Sequence, residues 1–137
     1  MSDALPEAID VSRTMPLAGL LGVETIAQGP AEVRLRLPWS PATCTAGTIM
    51  HGGALMALAD TAGGTLALLN LPEGAAGTTT TDSTTRFVAA VRDGYAEAVA
   101  RLLHKGRTLI VIDTEIRDSG GRLVARTSQA QLVLMPR

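Results

Sequence analysis

Residues 51–70 read HGGALMALADTAGGTLALLN, an almost wholly apolar run of helical length with one carboxylate inside it. Between Ala54 and Leu69 the only charged residue is Asp60. A helix apolar on every side has to be covered by the rest of its chain, so it belongs at the centre of the fold. A carboxylate drawn into such surroundings costs several kcal/mol unless it is paired or protonated. That cost makes Asp60 the first candidate for function. The structural alternative is a carboxylate on a polar helix edge, or one anchoring a neighbouring strand.

His51, Gly52 and Gly53 stand together at the start of this helix. Alone, each reads as a turn residue or a tight helix entry. Together they describe a helix N-terminus, where backbone N–H groups lack intrahelical partners and carry partial positive charge. Glycine lets a ligand oxygen approach those amides closely, which is the requirement for an oxyanion hole. At a rise of about 1.5 Å per residue, Asp60 lies about 12 Å along the helix from Gly52. One carbonyl group cannot touch both. If both serve one substrate they come from different subunits, with two equivalent sites related by a two-fold axis.

The 137 residues, 46% hydrophobic and 18% charged, are expected to form one domain over 1–137 with a proper core. A net charge of −1, without a basic run or an aromatic stacking motif, argues against nucleic acid as partner. No apolar stretch reaches membrane-spanning length without interruption, and the start, MSDALPEAID, is acidic and lacks a signal-peptide core. The expected location is cytoplasmic, with no membrane association. Cys44 is the only cysteine, which excludes an internal disulfide and a multi-cysteine zinc site. His51 is seven residues away, but nothing else supports a Cys44 nucleophile. His51 and His104 are far apart in sequence, and the acids form no recognisable ligand set, so no metal is expected.

Residues 5–20 predict one short N-terminal helix punctuated by Gly19 and Gly22. Residues 23–28 and 31–38 predict a hairpin about Gly29-Pro30, and 39–50 a loop carrying Trp39, Pro41 and Cys44. After the long helix come four strands, TTTTDSTTRFVAAV, YAEAVARLLHKG, RTLIVIDTEIRD and RLVARTSQAQLVLM. Asp93-Gly94, Lys105-Gly106 and Ser119-Gly120-Gly121 are the expected hairpin connections of a meandering antiparallel sheet. The fold class is therefore α+β, about six strands wrapped round one long helix.

The segments LLGVET, GTIMHGGALMALADTAGG, RFVAAVRDG and LHKGRTLIVIDTEIRDSGGRLVA are spread along nearly the whole chain, from residue 20 to residue 125. Together they resemble the hotdog-fold acyl-CoA thioesterases, in particular the phenylacetate-pathway (PaaI-like) group. The resemblance implies a helix wrapped by a curved sheet, a homodimer as the minimal active unit, and dimers that pair into tetramers. It implies catalytic roles for three residues. The Gly52 amide polarises the thioester carbonyl, Asp60 is the acidic residue supplied by the partner subunit, and His51 completes the His-Gly signature, positioning the turn or substrate. Asp60 acts as general base or as nucleophile, with the base favoured. It further implies substrate contacts by Gly53, by a hydroxyl on the strand after the helix at Thr80, and by the turn His104, Lys105, Gly106 and Arg107, set against the nucleotide end of coenzyme A. Coenzyme A is then part of the substrate, and no separate cofactor is expected.

Many members of the family it resembles carry Asn or Gln six or seven residues before the His-Gly pair, where this chain has Thr45, with Thr48 a second candidate. A hydroxyl is shorter and donates fewer bonds than an amide. With one Trp, one Tyr and one Phe in the chain, an acyl pocket would be lined by aliphatic and methionine side chains such as Met50, Leu55 and Met56. The reading is hydrolysis of a medium-chain or aromatic thioester. The alternatives are a non-catalytic module that binds acyl-CoA or an aromatic ligand, and, less favoured by the motif, a hydratase on the same fold.

Overall fold

The computed structural model describes residues 8–137. Two short helices, α1 (Val11–Thr14) and α2 (Pro16–Leu21), precede strands β1 (Glu24–Gln28) and β2 (Glu32–Pro38). The long helix α3 (Gly52–Leu68) follows, then β3 (Gly77–Phe87), β4 (Tyr95–Lys105), β5 (Leu109–Asp118) and β6 (Leu123–Leu134). The single N-terminal helix expected over 5–20 is corrected here, and its residues 5–7 lie outside the described residues. Met15, at φ −121° and ψ 89°, breaks it in two. The cause is Pro16, which disfavours helical backbone at the residue before it while fitting the first turn of the next helix. Gly22, at φ 87°, ends α2 in the left-handed conformation expected of a helix-terminating glycine.

The strands form one antiparallel sheet in the order β1-β2-β4-β5-β6-β3. Lys105-Gly106 and Ser119-Gly120-Gly121 join paired strands, as expected. Asp93-Gly94 does not. The chain leaves α3, lays β3 against β6 at the far edge, and crosses to pair β4 with β2, so the simple meander is also corrected. A local turn signal identifies a reversal of direction, but not which strand is met beyond it. β3 is thereby an edge strand of 11 residues, mostly exposed.

Alternation dictates the core. Val33, Leu35 and Leu37 on β2, Ala96, Ala98 and Ala100 on β4, and Ile110, Ile112 and Ile116 on β5 are fully buried, their neighbours facing outward. Against them α3 packs Leu58, Ala59, Ala62, Leu66 and Ala67. Alanines on both helix and strand leave no bulky side chain to hold them apart. Asn70 is buried just beyond the helix end. Its Nδ2 donates to the carbonyls of Leu66 and Pro30, at 2.8 and 2.9 Å, and its Oδ1 accepts from Lys105 Nζ at 3.2 Å. One amide thus ties α3 to two turns. The outer face carries ion pairs instead, among them Arg34–Glu32 at 2.6 Å, Arg36–Glu97 at 3.0 Å and Arg126–Asp113 at 3.1 Å, all partly exposed and of small individual worth.

Leu58 lies at the centre of the packed face, so Leu58→Ala should lower the unfolding free energy by about 2–5 kcal/mol through lost burial and the cavity left behind. Urea unfolding with an unchanged m-value is the measurement that checks it.

Candidate active site

The first turn of α3 is organised by His51, its N-cap, at φ −62° and ψ 134°. The His51 N–H donates to the Thr43 carbonyl at 2.8 Å, fixing the residue against the preceding loop. Its imidazole Nδ1 accepts from the Gly53 N–H at 2.7 Å, so the neutral ring carries its proton on Nε2. The N–H groups of Ala54 and Leu55 donate to the His51 carbonyl at 2.9 and 3.1 Å. Among the described residues, the Gly52 N–H has no acceptor. His51 therefore consumes the amide of Gly53 and leaves that of Gly52 as the donor available to a ligand. A side chain at Gly52 would also be tight, because a Cβ there would meet the Phe87 ring at 3.3 Å.

Two cavities flank this turn. Gly52 lines one of about 330 Å³ with Thr45, Met50, Leu55, Phe87 and others, while His51 and Gly53 line a second, of about 290 Å³, beside Leu17, Leu21 and Cys44. Of the two threonines weighed for the missing amide, Thr45 shares the cleft with Gly52. Thr48 is not among that cleft's lining residues, and its hydroxyl donates to the Gly47 carbonyl at 2.6 Å. Met50 and Leu55 line the Gly52 cleft as expected of apolar residues, but Met56 does not.

Asp60 lies elsewhere. It is exposed in the single chain, which corrects the expectation that apolar surroundings bury it. The reason is helical: Gly53, Met56 and Asp60 are exposed and Ala57, Thr61, Gly64 and Leu68 half-buried, so together they trace the one stripe of α3 that the sheet leaves uncovered. Asp60 Oδ1 accepts from Thr80 Oγ1 at 3.3 Å and from Gln129 Nε2 at 3.2 Å. A cavity of about 260 Å³ at this point is lined by Met15, Asp60, Gly64, Thr80 and Gln131, among others, and by neither Gly52 nor His51. The turn His104–Arg107 is farther still. Through Lys105 it sits at the Asn70 end of α3, about 27 Å from Gly52 by helical rise. The structure thus unites His51, Gly52, Gly53 and Thr45 at one end, joins Asp60 to Thr80 midway, and leaves the basic turn at the other end.

Sequence reasoning missed Gln129 and Gln131, both buried on β6. Their signal is the segment TSQAQ, where polar residues fall on the inward positions of a strand that is otherwise apolar inside. Gln131 Nε2 donates to Thr80 Oγ1 at 2.7 Å.

A six-stranded antiparallel sheet wrapped round one long helix, with a His-Gly-Gly turn at the helix start, is the hotdog fold. The sequence profile of the thioesterase superfamily matches residues 47–125, from the turn before His51 into β6, and the chain belongs to that superfamily. A protein of Deinococcus radiodurans with a provisional esterase name is 31% identical over 106 residues, 77% of this chain and 66% of that protein. The chain therefore spans just under two thirds of that relative's length. The crystal structure of a thioesterase from Haemophilus influenzae superposes with a TM-score of 0.84 at 25% identity, covering 94% of this chain and 93% of that one. The E. coli PaaI protein, from the phenylacetic acid degradation operon, shares the fold with a TM-score of 0.81 at 22% identity, over 89% of this chain and 86% of its own. Among the described residues no helix is long and apolar enough to cross a membrane.

Replacing His51 tests the cap by itself. His51→Ala should lower stability by about 1 kcal/mol, whereas His51→Ser, which keeps a capping acceptor, should recover most of it, as read by thermal unfolding.

Proposed function

We propose that the protein is an acyl-CoA thioesterase whose active site is shared between two protomers, the Gly52 N–H of one and the Asp60 carboxylate of the other acting on one thioester. The observation that carries this reading is the pair of unused groups on one helix. The Gly52 N–H has no acceptor, Asp60 Oδ2 has no donor among the described residues, and the two are too far apart to meet in one chain.

In this mechanism the thioester carbonyl oxygen accepts from the Gly52 N–H, with the partial positive charge of the α3 N-terminus behind it. Water attacks the carbonyl carbon as Asp60 takes its proton. The tetrahedral intermediate collapses by breaking the C–S bond, and the proton passes to the departing thiolate, giving free acid and coenzyme A. A thiol pKa near 8–9 makes that leaving group good enough to need little acid assistance. His51 acts through Gly53, holding the turn so that Gly52 is the amide left over. Gly53 keeps that turn close, since a Cβ there would crowd His51 Nδ1 at 2.8 Å. Thr45 offers a hydroxyl in the Gly52 cleft, where the acyl group, medium-chain or aromatic, would lie against Met50, Leu55 and Phe87. The turn His104–Arg107 supplies cations suited to the phosphates of coenzyme A. No cofactor beyond the substrate enters, and the cytoplasm is the matching location.

The homodimer is supported by the same surfaces. The uncovered stripe of α3 is mostly apolar, with Asp60 and Thr61 its polar members, and β3 presents an edge of 11 residues that invites strand pairing with a second copy. Pairing of such dimers into a tetramer belongs to the same reading.

Asp60→Asn should lower thiol release from acyl-CoA thioesters by at least tenfold without dissociating the dimer. Unchanged turnover in a folded variant would remove Asp60 from the mechanism, and tight binding without turnover in the native protein would favour the non-catalytic module. Gly52→Pro deletes the key N–H at a position where proline suits a helix start and where His51 already has the extended backbone that precedes proline, with the Phe87 ring shifting a few tenths of an ångström from the added Cβ. It should abolish turnover too. Each variant retains the group the other lacks, so an equal mixture re-formed from unfolded chains should regain about a quarter of native turnover, half of the dimers each holding one intact site. No recovery, with mixed dimers confirmed by mass, would overturn the shared site.

A further inference from the structure

The interior of this sheet is apolar except along β6 and at Thr114 on the neighbouring β5. On β6, Thr127, Gln129 and Gln131 point inward and are buried, where β2, β4 and most of β5 place aliphatic side chains. Gln129 is 1% exposed, and its two polar atoms are treated very differently. Nε2 donates to Asp60 Oδ1 at 3.2 Å, while Oε1 has no partner among the described residues. Buried amide oxygens left without a donor are uncommon, because each carries its full desolvation cost, which a leucine at the same place would avoid. The helix makes room for this side chain. A Cβ on Gly63, one turn after Asp60, would run into Gln129 Oε1, so only glycine at that position lets the amide pass the helix to reach the carboxylate.

A second amide acts on the same oxygen through a hydroxyl. Gln131 Nε2 donates to Thr80 Oγ1 at 2.7 Å, and Thr80 Oγ1 lies 3.3 Å from Asp60 Oδ1. An ionised carboxylate only accepts, and the Thr80 oxygen already accepts from Gln131, so the Thr80 proton is directed at Asp60. The register of β3 supports this alignment. Thr80 pairs with Gln131 and Asp82 with Ala130, which leaves Thr81 as an extra residue bulged out beside the site. Both donors converge on Oδ1, and neither touches Oδ2.

We propose that Gln129, admitted by Gly63, is a positioning residue that clamps Asp60 Oδ1 together with the Gln131–Thr80 relay, and so assigns Oδ2 as the atom that works on the substrate side. This rests on the reading of Asp60 as the catalytic carboxylate. A carboxylate pinned by one oxygen has its rotation about χ2 fixed, and its other oxygen is held in one direction before substrate arrives. Gln129 is buried behind Asp60, so its loss should act on turnover and not on substrate affinity.

The test is thiol release by the intact oligomer on the acyl-CoA it turns over best, comparing native protein, Gln129→Leu, Asp60→Asn and the double variant. Gln129→Leu should lower kcat about tenfold with KM within twofold, and should cost nothing further once Asp60 is Asn, since the clamp then has no carboxylate to orient. Gly63→Ala provides a second route that alters neither partner. It should displace the Gln129 amide and lower kcat in the same way, even if Gln129→Leu folds poorly. A folded Gln129→Leu with native kcat, or one losing the same factor in both Asp60 backgrounds, overturns the clamp. Native turnover by Asp60→Asn overturns it together with the reading it rests on, and that variant alone distinguishes the two failures.

Discussion

The hydrogen bond from the Gly53 N–H to His51 Nδ1 is the constraint on which the site depends. A helix start offers several amides, and an anion pocket built on all of them would bind without direction. Here the imidazole occupies one, the His51 carbonyl takes the next two, and the donor that remains is that of Gly52. The choice holds only if His51 is itself immobile, and the loop before it ensures this. Thr43 accepts the His51 N–H, Met50 donates to Val91 at 2.9 Å, and the indole of Trp39, the chain's one tryptophan, donates to the Thr48 carbonyl at 3.0 Å. A loop rich in small residues is made rigid by backbone bonds, not by bulk.

The second constraint is the unequal covering of α3. The sheet buries most of the helix but leaves a stripe from Gly53 through Met56 and Asp60 to Gly64 and Leu68, nearly as apolar as the buried faces. The same edge of the molecule carries β3 with its open ladder of backbone groups. Apolar side chains and an unpaired strand on one side of a chain both call for a partner surface. On the proposed arrangement a second copy supplies it, and brings its own Asp60 toward Gly52.

Much of this was legible in the residues. The extent of α3, the strand positions, the glycine-marked hairpins other than Asp93-Gly94, and the Asp60 to Gly52 spacing follow from local pattern, because helix rise and strand alternation are set within a few residues. The break at Met15 was also written in Pro16, but the surrounding helical composition outweighed it. What local pattern does not contain is pairing across the chain. That β3 passes over β4 to join β6 depends on which edge is open after α3 is laid down. Gln129 lies 69 residues from Asp60, and nothing near either announces the other. The exposure of Asp60 was misjudged for a related reason. Composition shows that a helix is apolar, but only the packed sheet determines which stripe remains outside.

The exposed setting of Asp60 carries its own chemical consequence. In a lone chain this carboxylate faces solvent, with a hydroxyl and an amide on one oxygen, and its charge is well screened. On the proposed arrangement a partner's apolar stripe would close over it, removing water and strengthening every interaction the carboxylate makes with an incoming thioester. Assembly and chemistry would then be one event. On that arrangement the monomer would have the parts but not the dielectric, and the dimer would acquire the dielectric by the contact that brings the parts together. The Oδ1 clamp fits that sequence, since a carboxylate oriented before closure needs no reorganisation once water has gone.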